Sequence, residues 1–287
     1  MMPDAVAAPV HAYLRVADRL LPGRISGFYL IGSVALGAYR PGHSDIDFVA
    51  VVDDGDTQGA GGGLSPRELR RLRAVHLATG TRTAGSGLLR GRLSLPGTCN
   101  GVYVRAADLA SPVSEITPLA SHSGASFSVG DGFDVNPVQW QTLARRGVAV
   151  RGPAPATLGL DPEPSLLRRW NLDNLGSYWV PWAERVHRGP TLPFRANPRW
   201  WTAWGVLGPA RMHRTIATGE VVSKEDAAAY ARATFDPRWH PLVDEALAYR
   251  RSEPTDPKFA ASVPDVRTRA RLTAELALEI AELADEL

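Results

Sequence analysis

Two acids separated by one apolar residue stand at the head of a buried-type run: Asp45-Ile46-Asp47 leads into Phe48-Val49-Ala50-Val51-Val52, and Asp53-Asp54-Gly55 closes it. Val, Ile and Phe at this density predict a strand, and its period of two sends both carboxylates to one face. Upstream, Gly27-Phe28-Tyr29-Leu30-Ile31 predicts a second short strand, broken by Gly32-Ser33 into a helix over Val34 to Tyr39. A chain of this pattern must set a strand, a glycine turn and a paired-acid strand side by side. That requirement selects a sheet-containing fold.

Two acids on one strand face repel, so the pairing is explained by a dication held between them. Mg²⁺ is the natural occupant, because it prefers carboxylate oxygen and completes its shell with water and substrate phosphates. Gly32-Ser33 at a strand-to-helix turn supplies what phosphates need, namely close backbone approach, amide donors and a hydroxyl.

Around this core the periodicities extend the reading. Val10, Leu14, Ala17 and Leu21 mark a first helix, stopped at Pro22-Gly23. Gly55 to Gly63 holds five glycines and predicts a loop. Ser65-Pro66-Arg67-Glu68 carries an N-cap, an N1 proline and an N3 glutamate in order, opening a helix to about Thr79. Strands follow over Leu88 to Leu95 and Gly101 to Val104, then a helix over Val135 to Arg146 and a strand at Gly147 to Val150. Four prolines between Arg151 and Pro164 predict an extended connection, so the boundary is placed between 1–153 and 154–287. Beyond it every pattern is helical. Ser223-x-x-Asp226 is a capping box, and Leu272, Leu276, Ile280, Leu283 and Leu287 form one apolar stripe. The fold class is α+β: a mixed sheet with flanking helices, then an all-helical bundle.

Composition narrows the partners. With 32 basic against 30 acidic residues the net charge is +2, which gives no electrostatic case for nucleic acid or an anionic membrane. No stretch approaches the roughly 18 apolar residues that span a bilayer, and the first nine residues lack a signal-peptide pattern. Cys99 is the single cysteine, which excludes an intramolecular disulfide and a cysteine zinc cluster. The seven histidines show no pairing at i, i+4, so histidine ligation of a metal is not expected. The expected setting is the cytoplasm, as a monomer or weak dimer. Seven of the eight tryptophans fall between Trp170 and Trp239, where helix-core packing is their expected use. Among the basic residues only Lys224 and Lys258 are lysines, so a lysine that persists in an arginine-biased chain draws attention.

Gly32-Ser33 followed by Asp45-Ile46-Asp47, in the order strand, Gly-Ser turn, helix, Asp-x-Asp strand, resembles the nucleotidyltransferase superfamily that includes DNA polymerase beta. A second stretch narrows the class: Arg211-Met212-His213-Arg214-Thr215-Ile216-Ala217-Thr218-Gly219-Glu220-Val221-Val222-Ser223-Lys224, then Glu245-Ala246-Leu247-Ala248-Tyr249. It is similar to the C-terminal helical domain of aminoglycoside adenylyltransferases of the streptomycin/spectinomycin type, and Gly147 to Pro153 resembles the end of their catalytic domain. The resemblance implies AMP transfer from Mg²⁺-ATP to a hydroxyl of a small acceptor, an aminoglycoside-type antibiotic, and hence antibiotic resistance. It further implies Asp45 and Asp47 as catalytic metal ligands. Gly32, Ser33, Ser44, Lys224 and Tyr249 become nucleotide contacts, the last two from the helical domain.

One position departs from the family. A third carboxylate usually serves as general base on the strand after the glycine-rich loop and helix, and Asn100 stands there. Three readings remain open: Asp131 or Asp134 supplies the base, the acceptor needs little help, or the chain binds nucleotide without efficient transfer. A nucleotidyltransferase acting on RNA or protein is a further alternative.

Overall fold

The computed structural model describes residues 2–53, 63–88, 98–124 and 126–287. The chain divides into two compact units, Met1–Glu163 and Pro164–Leu287.

The first unit is built on a six-stranded mixed sheet in the order β5-β4-β3-β2-β1-β6. Helix α1 (Asp4–Leu20) precedes β1 (Ile25–Leu30), α2 (Gly32–Ala35) and β2 (Ile46–Val52). Then come α3 (Pro66–Leu88), β3 (Cys99–Arg105), β4 (Ala120–Ser123), β5 (Ser126–Val129), α4 (Pro137–Arg146) and β6 (Val148–Arg151). β1 pairs antiparallel with β2 and β6, whereas β2 and β3 run parallel with Ile46 opposite Cys99 and Asp47 opposite Asn100.

Strand alternation divides the buried residues between the sheet faces. Ile46, Phe48, Ala50 and Val52 pack with α1 and α3 residues such as Val10, Leu14, Leu72 and Val75. Val49, Val51, Val102 and Val104 pack on the other face with Trp140 and Leu143 of α4. The first core also holds polar groups. The Tyr13 and Tyr103 hydroxyls bond one another, and each lies 3.1 Å from His122 Nε2. The His76 and His122 rings lie 4.2 Å apart between centroids, tilted by 36°, so two histidines far apart in sequence form a core pair.

Several expectations are revised. The helix after Gly32-Ser33 is one turn, Gly32–Ala35, and does not reach Tyr39. The helix begun at the Ser65 cap continues past Thr79 to Leu88, which is therefore helical and not the start of a strand. The rest of that expected strand, and nearly all of the glycine-rich stretch, lie outside the described residues. Strand β3 begins at Cys99, two residues earlier than Gly101. The β4-β5 hairpin was not anticipated, because Ala120–Ser123 and Ser126–Val129 carry few apolar residues. Residues 154–163 hold to the first unit: Pro112 bridges Asp161, and the amides of Val113 and Ser114 donate to Asp161 O and Glu163 Oε2.

The second unit is helical among the described residues: α5 (Pro164–Asn174), α6 (Val180–Arg188), α7 (Leu192–Ala196), α8 (Pro198–Thr218), α9 (Lys224–Thr234), α10 (His240–Arg250), α11 (Pro257–Ser262) and α12 (Val266–Asp285). A π turn, Leu175–Trp179, joins α5 to α6, where Pro181 cannot donate an amide into a regular α ladder. The Ser223 box forms as expected, with Ser223 Oγ accepting from Asp226 N. On α12 the Leu272-Leu276-Ile280-Leu283 stripe meets one core, but Ala270, Ala274, Ala277, Ala281 and Ala284 meet a second. The helix is thus buried on two sides, and Leu287 is exposed. Trp179, Trp182, Trp201 and Trp204 belong to that second core. Gly205 and Gly208 make room, since a Cβ at either would fall 2.4 Å from a tryptophan ring. No described helix is long and apolar enough to cross a membrane.

Candidate active site

At the β1 end the chain must reverse within a few residues to reach β2, and Gly32 makes this possible with φ of +55°, a conformation costly for any residue with a Cβ. Ile31 N donates to Asp47 O at 2.9 Å, tying the turn to the paired-acid strand. The consequence is steric: a Cβ on Gly32 would lie 2.2 Å from Asp47 Oδ2 and 3.0 Å from its Cγ. The Asp47 carboxylate therefore occupies the space that a side chain at position 32 would need.

Next to this contact, Ser33 Oγ is buried with no hydrogen-bond partner among the described residues. A buried hydroxyl left unpaired carries a desolvation cost, which a bound acceptor or donor would relieve. The first-turn amides of a helix likewise lack partners within the helix. The turn thus offers donors beside a carboxylate, the arrangement that a phosphate and its cation share.

Asp45 is exposed and Asp47 half-buried. Their charges register on the neighbouring Cys99 thiol, pushed up to about 12 by burial, then by Asp47, then by Asp45. Tyr39 is raised as well, by burial first and then by Asp45 and Cys99. Both carboxylates thus bear on one small region at the N-terminal ends of β2 and β3. A cation there would have two oxygen donors and an adjoining phosphate cradle, so the residues present fit a Mg²⁺ site. Ser44 is buried and braces the approach: its Oγ accepts from Arg40 N at 3.1 Å, and its own amide donates to Arg40 O at 2.9 Å.

Asn100 lies opposite Asp47 in the parallel register. Paired residues of neighbouring strands point to the same face, so the amide stands where a third carboxylate would complete the group. Its Oδ1 accepts from Gly124 N at 3.0 Å, a contact made by the unanticipated hairpin. Asp134 behaves differently. Its half-buried carboxyl is pushed up to about 6 by burial. The loop carrying it crosses the sheet at Gly132, where a Cβ would meet Val102 at 2.8 Å and Ser121 at 3.0 Å. Asp131 is exposed.

The first unit therefore brings Gly32, Ser33, Ser44, Asp45 and Asp47 together, with Asn100. Lys224 and Tyr249 belong to the second unit: Lys224 is half-buried at the first position of α9, and Tyr249 is on α10 with the Arg199 guanidinium 5.6 Å from its ring centroid.

The family model for a nucleotidyltransferase domain matches residues 13–83, and that for the C-terminal domain of aminoglycoside adenylyltransferase matches residues 193–275. Among solved structures, the spectinomycin adenyltransferase from Enterococcus faecialis, crystallised with ATP and spectinomycin, superposes with a TM-score of 0.66. The match covers 96% of this chain and 99% of that one at 13% identity, which speaks to fold. A search of curated proteins by sequence finds no match. In its two domain matches and its fold the chain resembles the nucleotidyltransferases, and among them the aminoglycoside adenylyltransferases.

Proposed function

We propose that the protein transfers AMP from Mg²⁺-bound ATP to a hydroxyl of a small acceptor of the aminoglycoside class, releasing pyrophosphate. The observation that carries the reading is the Asp47 carboxylate seated against the bare Cα of Gly32, beside the unpartnered Ser33 hydroxyl. Asp45 and Asp47 would hold the cation, which when bound neutralises charge developing at the α-phosphate. Gly32 and Ser33 orient the phosphates, and Ser44 fixes the segment that presents Asp45. From the resemblance, Lys224 and Tyr249 of the second unit are nucleotide contacts. The ammonium suits a phosphate as a point charge.

Transfer is tested by incubating the full chain with Mg²⁺, labelled ATP and a panel including spectinomycin and streptomycin, following pyrophosphate and adenylylated product. Asp47→Ala is expected to lower product formation by at least about 10³-fold, equivalent to roughly 4 kcal/mol of transition-state stabilisation. An unchanged rate would remove the metal assignment. Asn100 favours a second reading, nucleotide binding without transfer. That reading predicts saturable ATP binding with no adenylylated product from any acceptor.

A further inference from the structure

Asn100 has a defined orientation. Gly124 N–H can only donate, so the atom 3.0 Å from it is the side-chain oxygen, and the amide cannot be flipped without setting two donors against each other. With Oδ1 committed, Nδ2 is the group left to face outward, and it bonds to no described residue. The residue keeps 8% of its surface exposed, beside Asp47 in register. A glutamate here could accept from Gly124 with one oxygen and take a proton with the other. Asparagine retains the first contact and replaces the base with a donor.

Strand β3, Cys99–Arg105, carries no acid that could take its place. The titratable groups near this corner include Asp45 and Asp47 at the head of β2, Tyr39 from the preceding loop, and Asp134, whose loop packs over Val102 and Ser121 at Gly132. Cys99 comes from β3, and His76 comes from α3, bonded to the Gly124 backbone. Burial and the neighbouring carboxylates hold Tyr39 and Cys99 protonated well above neutral, while His76 packs with His122 on the Phe48 and Tyr103 face of the sheet, away from the Asn100 side chain. Between Glu68 and Asp108 the sequence contains no acid at all.

We propose that Asn100 positions the acceptor, donating from Nδ2 to the oxygen that attacks the α-phosphorus, and that this hydroxyl loses its proton to solvent hydroxide. The inference rests on AMP transfer being the reaction. The new bond joins the acceptor oxygen to the α-phosphorus, the bond to the bridging α,β oxygen breaks, pyrophosphate leaves, and hydroxide takes the proton to become water.

The test uses the full chain with Mg²⁺, ATP and spectinomycin between pH 7 and 9. Wild-type kcat/KM is expected to rise about tenfold per pH unit, since it follows hydroxide. Asn100→Glu supplies a base, so its profile flattens and its rate at pH 7 rises by about 10²-fold. The isosteric Asn100→Asp, which keeps the test valid should the longer glutamate disturb folding, is expected to do the same less strongly. Asn100→Ala raises KM for spectinomycin but not for ATP and leaves the pH slope intact. Its calorimetric affinity for spectinomycin, without nucleotide or metal, falls about threefold to tenfold. A flat wild-type profile would overturn the proposal and point to another base. A rising profile unaltered by Asn100→Glu or Asn100→Asp would overturn the placement of Asn100. Adenylylated product from no acceptor at any pH would bring down the transfer reading itself, and this inference with it.

Discussion

Replacing Gly32 by alanine separates two effects that the turn combines. The first is conformational: φ of +55° costs an L-residue about 1–2 kcal/mol in the left-handed region. The second is steric and specific to the site. The new Cβ would lie 2.2 Å from Asp47 Oδ2, whereas ordinary contact begins near 3.4 Å, so the carboxylate must withdraw by about 1 Å. Displacement of that size in a reacting constellation costs about 10²-fold in rate. Gly37 provides the control, with φ of +68° and nothing within 4 Å of its would-be Cβ. Gly37→Ala should therefore carry the backbone cost alone. Urea unfolding should show similar losses of about 1–2 kcal/mol for both variants. Pyrophosphate release with Mg²⁺-ATP and spectinomycin should fall about 10²-fold only in Gly32→Ala. Equal activity in the two alanine variants would refute the claim that Gly32 exists to admit the Asp47 carboxylate.

Two further predictions concern stability. Burial, with a smaller effect from His76, pulls His122 down to about 3 from 6.5, so the unfolded chain binds the extra proton below pH 6.5. Stability should then fall as pH drops from about 6.5 toward 3, by about 2 kcal/mol at pH 5, and His122→Gln should lose this share of the pH dependence in urea midpoints. Glu245, 3% exposed, accepts through Oε1 from Arg199 Nε at 2.8 Å and Arg269 Nη1 at 2.9 Å. Glu245→Ala strands the largely buried Arg269, while Arg199 keeps its bond to Glu253 O, and should cost about 3 kcal/mol. Asp244→Ala, which breaks only an exposed pair with Arg232, should cost less than about 1 kcal/mol by the same unfolding measurement.

How much could be read ahead of the structure depended on the range of the interactions involved. The Ser65 and Ser223 caps formed where their side chains predicted, because a cap is satisfied within three residues. Strands β1 and β2 were recognised because continuous apolar runs mark strands buried on both faces. The β4-β5 hairpin escaped notice because its strands are short and polar. Strand status there comes from pairing with β3, which no local pattern records. The same limit hid the His76–His122 pair and the hub at Glu245, whose partners are 24 and 46 residues away.

The sequence by itself determined the Asp-x-Asp strand, the Gly-Ser turn before it, and the substitution of an amide for the expected acid at position 100. These are properties of residue identity and local spacing, so they are decided before any folding. Only the tertiary structure decided that the Asp47 carboxylate fills the space denied to a side chain at position 32, and that the Asn100 amide turns its NH₂ outward. Both depend on strands brought into register and on a backbone donor from Gly124, contacts between segments that the chain keeps far apart until the sheet assembles.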